Sequence, residues 1–274
     1  MSDDAVLALP PVTPDASAAY GAHPDQVIDF YAPAGTAPLA PLVVAFHGGV
    51  WRAAYDRRHL SPFAAHLARR GFAVASVEYR RGGDEEGTAG RWPETFDDVA
   101  AAMDALPGLV AAHLPAADPR RTVLTGHSAG GQLALWAAAR HELPADAPWR
   151  TPRVPALRGV VALAPLADLA LARELGLCGD GVLQFLGGDA SFDARRPYAD
   201  PAALVPTGIA TTVVQGRADD VVTPDVAESY VAAAAKAGEV VGLTLLTGVG
   251  HFGLIDPSAD ACAAAVEEIE QLAY

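Results

Sequence analysis

Residues 121–131 read RTVLTGHSAGG. A short apolar and β-branched run leads into Gly126, a small-residue turn places Ser128 between Gly126 and Gly130, and residues 129–140 (AGGQLALWAAAR) are apolar on nearly every side. Strand, sharp turn and buried helix together give a G-x-S-x-G pattern its mechanical meaning. The turn lifts the hydroxyl above the end of a sheet, and the small neighbours avoid clashes. A helix beginning at Ala129 aims its positive end at that hydroxyl, which favours developing negative charge. Ser128 is therefore a candidate nucleophile rather than a turn serine.

On either side of this stretch the chain keeps one rhythm. Apolar runs of strand length occur at 26–33 (QVIDFYAP), 42–47 (LVVAFH), 72–79 (FAVASVEY), 121–126, 158–165 (RGVVALAP), 211–216 (TTVVQG) and 243–248 (LTLLTG). Helical patterns alternate with them at 57–70, 93–106, 129–140, 224–237 and 257–272, the first stopping at Gly71 and the second starting with Pro93. Such alternation predicts an α/β fold, with a mainly parallel sheet covered by helices on both faces. Residues 166–206 break the rhythm, with no clear strand and with short helical pieces interrupted by glycine and aspartate. They are expected to form a small cap insertion within a single domain spanning 1–274; a long ordered connection is the alternative.

A serine hydroxyl needs a general base, itself oriented by an acid. For a serine on a strand–turn–helix elbow, the partners follow in the order Ser, Asp or Glu, His. Only His141 and His251 follow Ser128, and His141 lies at the far end of the same helix. That leaves His251, in GVGHFG, as the candidate base. The acid should follow the strand at 211–216, where the chain reads QGRADDVVTP. A tight turn after Gly216 favours Asp219, leaving Asp220 solvated and Asp168 and Asp256 as remote alternatives.

An oxyanion hole needs backbone N–H groups aimed at the developing charge. Ala129 should supply one donor, and Gly49 and Val50, in the glycine loop HGGVW (47–51), the others. His47 is expected to brace that loop by hydrogen bonding. Trp51 is a candidate lining residue of the substrate pocket, with core packing as the alternative.

Composition removes other classes. With 51% hydrophobic and 19% charged residues the chain reads as globular. A formal charge of −14 argues against a nucleic-acid partner and against an anionic membrane surface. Cys178 and Cys262 have no metal-ligand spacing and are expected to stay reduced. The acidic stretch GGDEEG (82–87) has no accompanying histidine, so no metal is expected, and no phosphate-binding or dinucleotide loop occurs. The acidic, proline-broken start resembles no secretory signal and no run of eighteen apolar residues occurs, so a cytoplasmic location is expected. Oligomeric state stays open, with a homodimer among the options.

With elbow, acid, base and oxyanion loop in this order over roughly residues 25–272, the chain resembles the α/β-hydrolase superfamily. HGGVW resembles the H-G-G-x-W signature of the kynurenine formamidase (arylformamidase) group and its bacterial esterase relatives. EYRRGG with WPETFDDVAAAM resembles the corresponding segment of hormone-sensitive-lipase-like carboxylesterases, which usually carry a third glycine where this chain has Val50. The resemblance implies a cofactor-free acyl hydrolase with Ser128 as nucleophile, Asp219 as acid and His251 as base. Its expected substrate is a small carboxylic ester or aryl formamide. A general carboxylesterase is the alternative, and a non-catalytic ligand-binding module on the same scaffold is the reading from another class.

Overall fold

The computed structural model describes residues 3–35, 39–83 and 92–274. Eight strands form one sheet: β1 Ala16–Ala19, β2 Val27–Tyr31, β3 Ala40–Phe46, β4 Ala73–Val77, β5 Ala117–His127, β6 Gly159–Leu163, β7 Thr211–Gly216 and β8 Gly242–Leu246. Their spatial order is β1-β2-β4-β3-β5-β6-β7-β8. β1 pairs with β2, and β2 with β4, antiparallel; every other pairing is parallel.

The main helices are α1 Ser61–Arg69, α2 Glu94–His113, α3 Ala129–Ala138, α4 Leu169–Glu174, α5 Gly181–Phe185, α6 Asp189–Arg195, α7 Pro224–Lys236 and α8 Asp260–Ala273. Alternate residues of β3 divide the core: Leu42, Val44 and Phe46 face α2, α3 and α7, while Val43 and Ala45 face α1 and α8. This is the α/β-hydrolase fold, a mainly parallel sheet with helices on both faces. No helix among the described residues is long and apolar enough to cross a membrane.

Most elements lie where the periodicity puts them, and the departures have physical reasons. α2 continues through Pro107 to His113 instead of ending at Leu106. Proline removes one N–H, but Leu106 and Val110 flank it at helical spacing on one buried face, and that packing carries the helix through. β1 has no hydrophobic pattern in ASAA; its partner β2 makes it a strand. The run 57–70 divides into a 3-10 turn, Arg57–Leu60, and α1. GGDEEG passes, from residue 84 onward, outside the described residues.

Between β6 and β7 lie only α4, α5, α6 and two 3-10 turns. Asp168 caps α4 by accepting from the Leu171 N–H and also accepts from the Ser229 hydroxyl on α7. Buried Asp200 accepts from the backbone N–H groups of Leu169 and Ala202. Phe185 of α5 stacks flat on Trp51, ring centres 4.0 Å apart, which ties this segment to the loop after β3.

Candidate active site

Ser128 stands at the carboxyl end of β5 with φ 58° and ψ −121°, a backbone region that costs a non-glycine residue energy unless its surroundings enforce it. Here they do. Its N–H donates to the Leu163 carbonyl at 2.8 Å, and its own carbonyl accepts from Gly131, Gln132 and Leu166. The two glycines are spatial necessities: a Cβ on Gly126 would lie 2.2 Å from the Gly130 carbonyl oxygen, and one on Gly130 would lie 2.1 Å from that of Phe46. All ten residues of α3 are buried, so the elbow is anchored on every side. Ala129 opens that helix, in the turn whose N–H groups have no partner within it.

His251 is buried, and its Nδ1 lies 2.7 Å from Asp219 Oδ2. Asp219 is fixed in turn: Oδ1 accepts from the N–H groups of Val221 and Val222, each at 2.9 Å, and Oδ2 also accepts from Gln215 Nε2 at 3.0 Å. The carboxylate thus holds the Nδ1–H tautomer, leaving Nε2 free to take up a proton. Asp220 is exposed, His141 meets the Thr207 carbonyl, and Asp256 holds Ser258. Asp168 serves as a helix cap.

The loop after β3 runs through three left-handed residues, Gly49, Val50 and Trp51, at φ 103°, 55° and 53°. For β-branched Val50 this is a genuine departure from preferred geometry, and it is held from beneath. His47 Nδ1 lies 2.8 Å from the Gly48 carbonyl and Nε2 2.8 Å from Glu78 Oε1. Its ring stacks on Tyr79 at 4.3 Å, and the Tyr79 hydroxyl donates to the His47 carbonyl. Burial and the nearby Arg81 guanidinium push the His47 pKa down to about 3. Buried Glu78 also meets Arg57 and Arg81. Sequence reasoning missed Glu78; the signal was a lone acid closing the apolar run FAVASV.

A cavity of about 150 Å³ opens at the serine, lined by Leu7, Gly49, Val50, Tyr55, His59, His127, Ser128, Val221, His251 and Phe252. It brings together the serine, the histidine and two residues of the glycine loop. Trp51 is not among its walls. It is buried, stacked on Phe185, with its indole N–H donating to Gln132, so the structure places it in the core. His127 is a second residue that sequence reasoning passed over, although it adjoins Ser128. Its Nε2 lies 2.9 Å from the His251 carbonyl, tying the elbow to the loop that carries His251. Burial, then the neighbouring His251, hold its pKa well below the usual histidine value. Burial likewise brings His59 down to about 4. His59 and His127 are therefore held neutral near pH 7, among the apolar groups of the wall.

Known proteins resemble this chain. The BD-FAE family model matches residues 28–233. A probable isoprenylcysteine alpha-carbonyl methylesterase of Arabidopsis thaliana is 27% identical over 251 residues, covering 87% of this chain and 57% of its own. An isoprenylcysteine alpha-carbonyl methylesterase of the same plant is 29% identical over 258 residues, covering 87% and 56%. The chain thus spans little more than half the length of these curated relatives. Among solved structures, esterase B from Lactobacillus rhamnosis superposes with a TM-score of 0.78 at 21% identity, over 99% of this chain and 90% of its own. A truncated carbohydrate esterase from gut microbiota gives 0.77 at 18%, over 97% and 99%. At such identities the likeness shows a shared fold.

Proposed function

The chain belongs to the BD-FAE family, and from that premise we propose that it is a serine-dependent esterase acting on small carboxylic esters. The observation that carries the reading is a buried histidine whose Nδ1 is held by a carboxylate, sharing one cavity with a serine on a strained elbow. Ser128 Oγ attacks the substrate carbonyl as His251 Nε2 takes its proton. Asp219 keeps the imidazole oriented and stabilises its cationic form. The N–H groups of Ala129, Gly49 and Val50 receive the oxyanion. His251 then protonates the leaving alcohol, and water, activated by the same base, releases the acid.

The curated relatives are named as methylesterases, which supports an ester bond. A cavity of about 150 Å³ is the size that takes one benzene ring, which supports a small buried group. Residues 166–206 serve as a cap insertion of one 274-residue domain, seated on the oxyanion loop through Phe185. HGGVW supports a second reading, hydrolysis of an aryl formamide, whose formyl group is the smallest acyl such a cavity can take. Comparing kcat/KM for p-nitrophenyl acetate and a formanilide separates the two; preference for the ester by several orders removes the second. The mechanism is tested by Ser128→Ala, expected to abolish both ester hydrolysis and labelling by a fluorophosphonate. Wild-type hydrolysis in that variant overturns it, whereas a native protein that neither hydrolyses esters nor takes the fluorophosphonate label favours the ligand-binding module.

A further inference from the structure

We propose that Leu7 sets the size of the substrate group this site accepts, an inference that rests on the serine-esterase reading above. One wall of the cavity over Ser128 comes from the 3-10 turn Asp3–Ala8, far from the elbow in sequence. The turn is anchored, because Val6 is only 4% exposed and lies in the core cluster that holds Tyr31, Leu60, Leu254 and Ile255. It packs against the 3-10 turns Arg57–Leu60 and Gly253–Ile255. The first carries His59 and the second directly follows Phe252, both of which line the same cavity. Leu7, next to the anchor, is half-buried, packs against the same core cluster as Phe252, and lines the cavity together with Val221 and Phe252.

Two features make Leu7 a filter rather than mere packing. It is an apolar side chain in the wall of a small cavity, so shortening it enlarges the space open to the substrate. Its position is held by Val6, so shortening the side chain need not release the turn. Leu7→Ala removes three carbons from the wall. A longer substrate chain can then bury methylenes that the native wall excludes, each worth about fourfold in kcat/KM. Leu7→Trp works in the opposite sense.

The experiment measures kcat/KM for p-nitrophenyl acetate, butyrate and hexanoate, which lengthen the acyl group, and for ethyl, butyl and hexyl acetate, which lengthen the leaving group. Leu7→Ala is expected to raise the long-to-short ratio about tenfold in the series whose variable group enters the cavity, and Leu7→Trp to lower the same ratio. Ratios cancel the fraction of folded enzyme, so a partly unfolded variant still reports the selectivity of its folded molecules. If neither series shifts in either variant, the proposal is overturned. Ser128→Ala is assayed on the same esters. Loss of hydrolysis there with unchanged Leu7 ratios sinks the filter alone, whereas retained hydrolysis sinks the serine reading.

Discussion

Replacing Gly130 by alanine tests whether the elbow and the HGGVW loop are one rigid unit. The added Cβ would stand 2.1 Å from the Phe46 carbonyl oxygen and 2.4 Å from that of His47. Both are backbone atoms at the end of β3, where the chain enters the HGGVW loop, so no side chain can swing aside. Relief requires the start of α3 and the end of β3 to separate by about 1 Å. That is the same separation that spaces Ser128 from Gly49 and Val50. A displacement of about 1 Å in a reacting constellation costs about 100-fold in rate. The overpacking itself costs about 1–3 kcal/mol, small enough to leave a domain of ordinary stability folded. The assay is kcat on p-nitrophenyl acetate per folded molecule, with the folded fraction taken from urea titration. Gly108→Ala is the control: it lies in α2 with nothing within 4 Å of its would-be Cβ. Alanine there should stabilise by about 1 kcal/mol and leave the rate alone. Wild-type kcat per folded Gly130→Ala molecule would refute the coupling.

Two further predictions rest on the same site. Asp219→Asn replaces an oxygen that accepts from both His251 and Gln215 with a group facing two donors. The imidazole loses its Nδ1–H tautomer, and kcat should fall by about 10⁴-fold while the fold persists in circular dichroism; a loss below tenfold would show that the carboxylate does not orient the base. Acid should unfold the protein through its buried histidines. His47, His59 and His127 all have folded pKa values below 6.5, the first two at about 3 and about 4. Their contribution is present above the unfolded value and lost as pH falls below 6.5, each at about 1.4 kcal/mol per pH unit until its folded pKa is reached. Asp200 opposes them: burial lifts its pKa to about 6, so its protonation stabilises the fold as pH falls from about 6 toward 3.8. Urea midpoints measured between pH 7 and 5 should decline, and His59→Gln should flatten the decline; a slope unchanged in that variant would contradict the assignment.

The α/β architecture was legible in the chain because buried parallel strands must be short continuous apolar runs, and the helices covering them repeat at 3.6 residues. The elbow was legible partly for a local reason: Gly126 is demanded by the Gly130 backbone four residues on, whereas Gly130 answers to the carbonyls of Phe46 and His47 at the end of β3. Chain order narrowed the candidate base to His251 and the candidate acid to the ADD turn. Local signals could not reveal what depends on distant segments meeting. Glu78 closes an ordinary strand, and only the pairing of β3 with β4 brings it to His47. His127 meets the His251 carbonyl across 124 residues. Trp51 reads equally well as pocket or core until Phe185, brought in by the segment after β6, stacks on it. Leu7 lies in a stretch with no periodicity, and it becomes a cavity wall because Val6 beside it finds the core. Periodicity and the crowding of the turn at Gly126 are properties of neighbouring residues, so the sequence alone determined them; the close fit of Gly130 on β3 and the floor, walls and braces of the cavity are contacts between remote residues, and tertiary packing decided those.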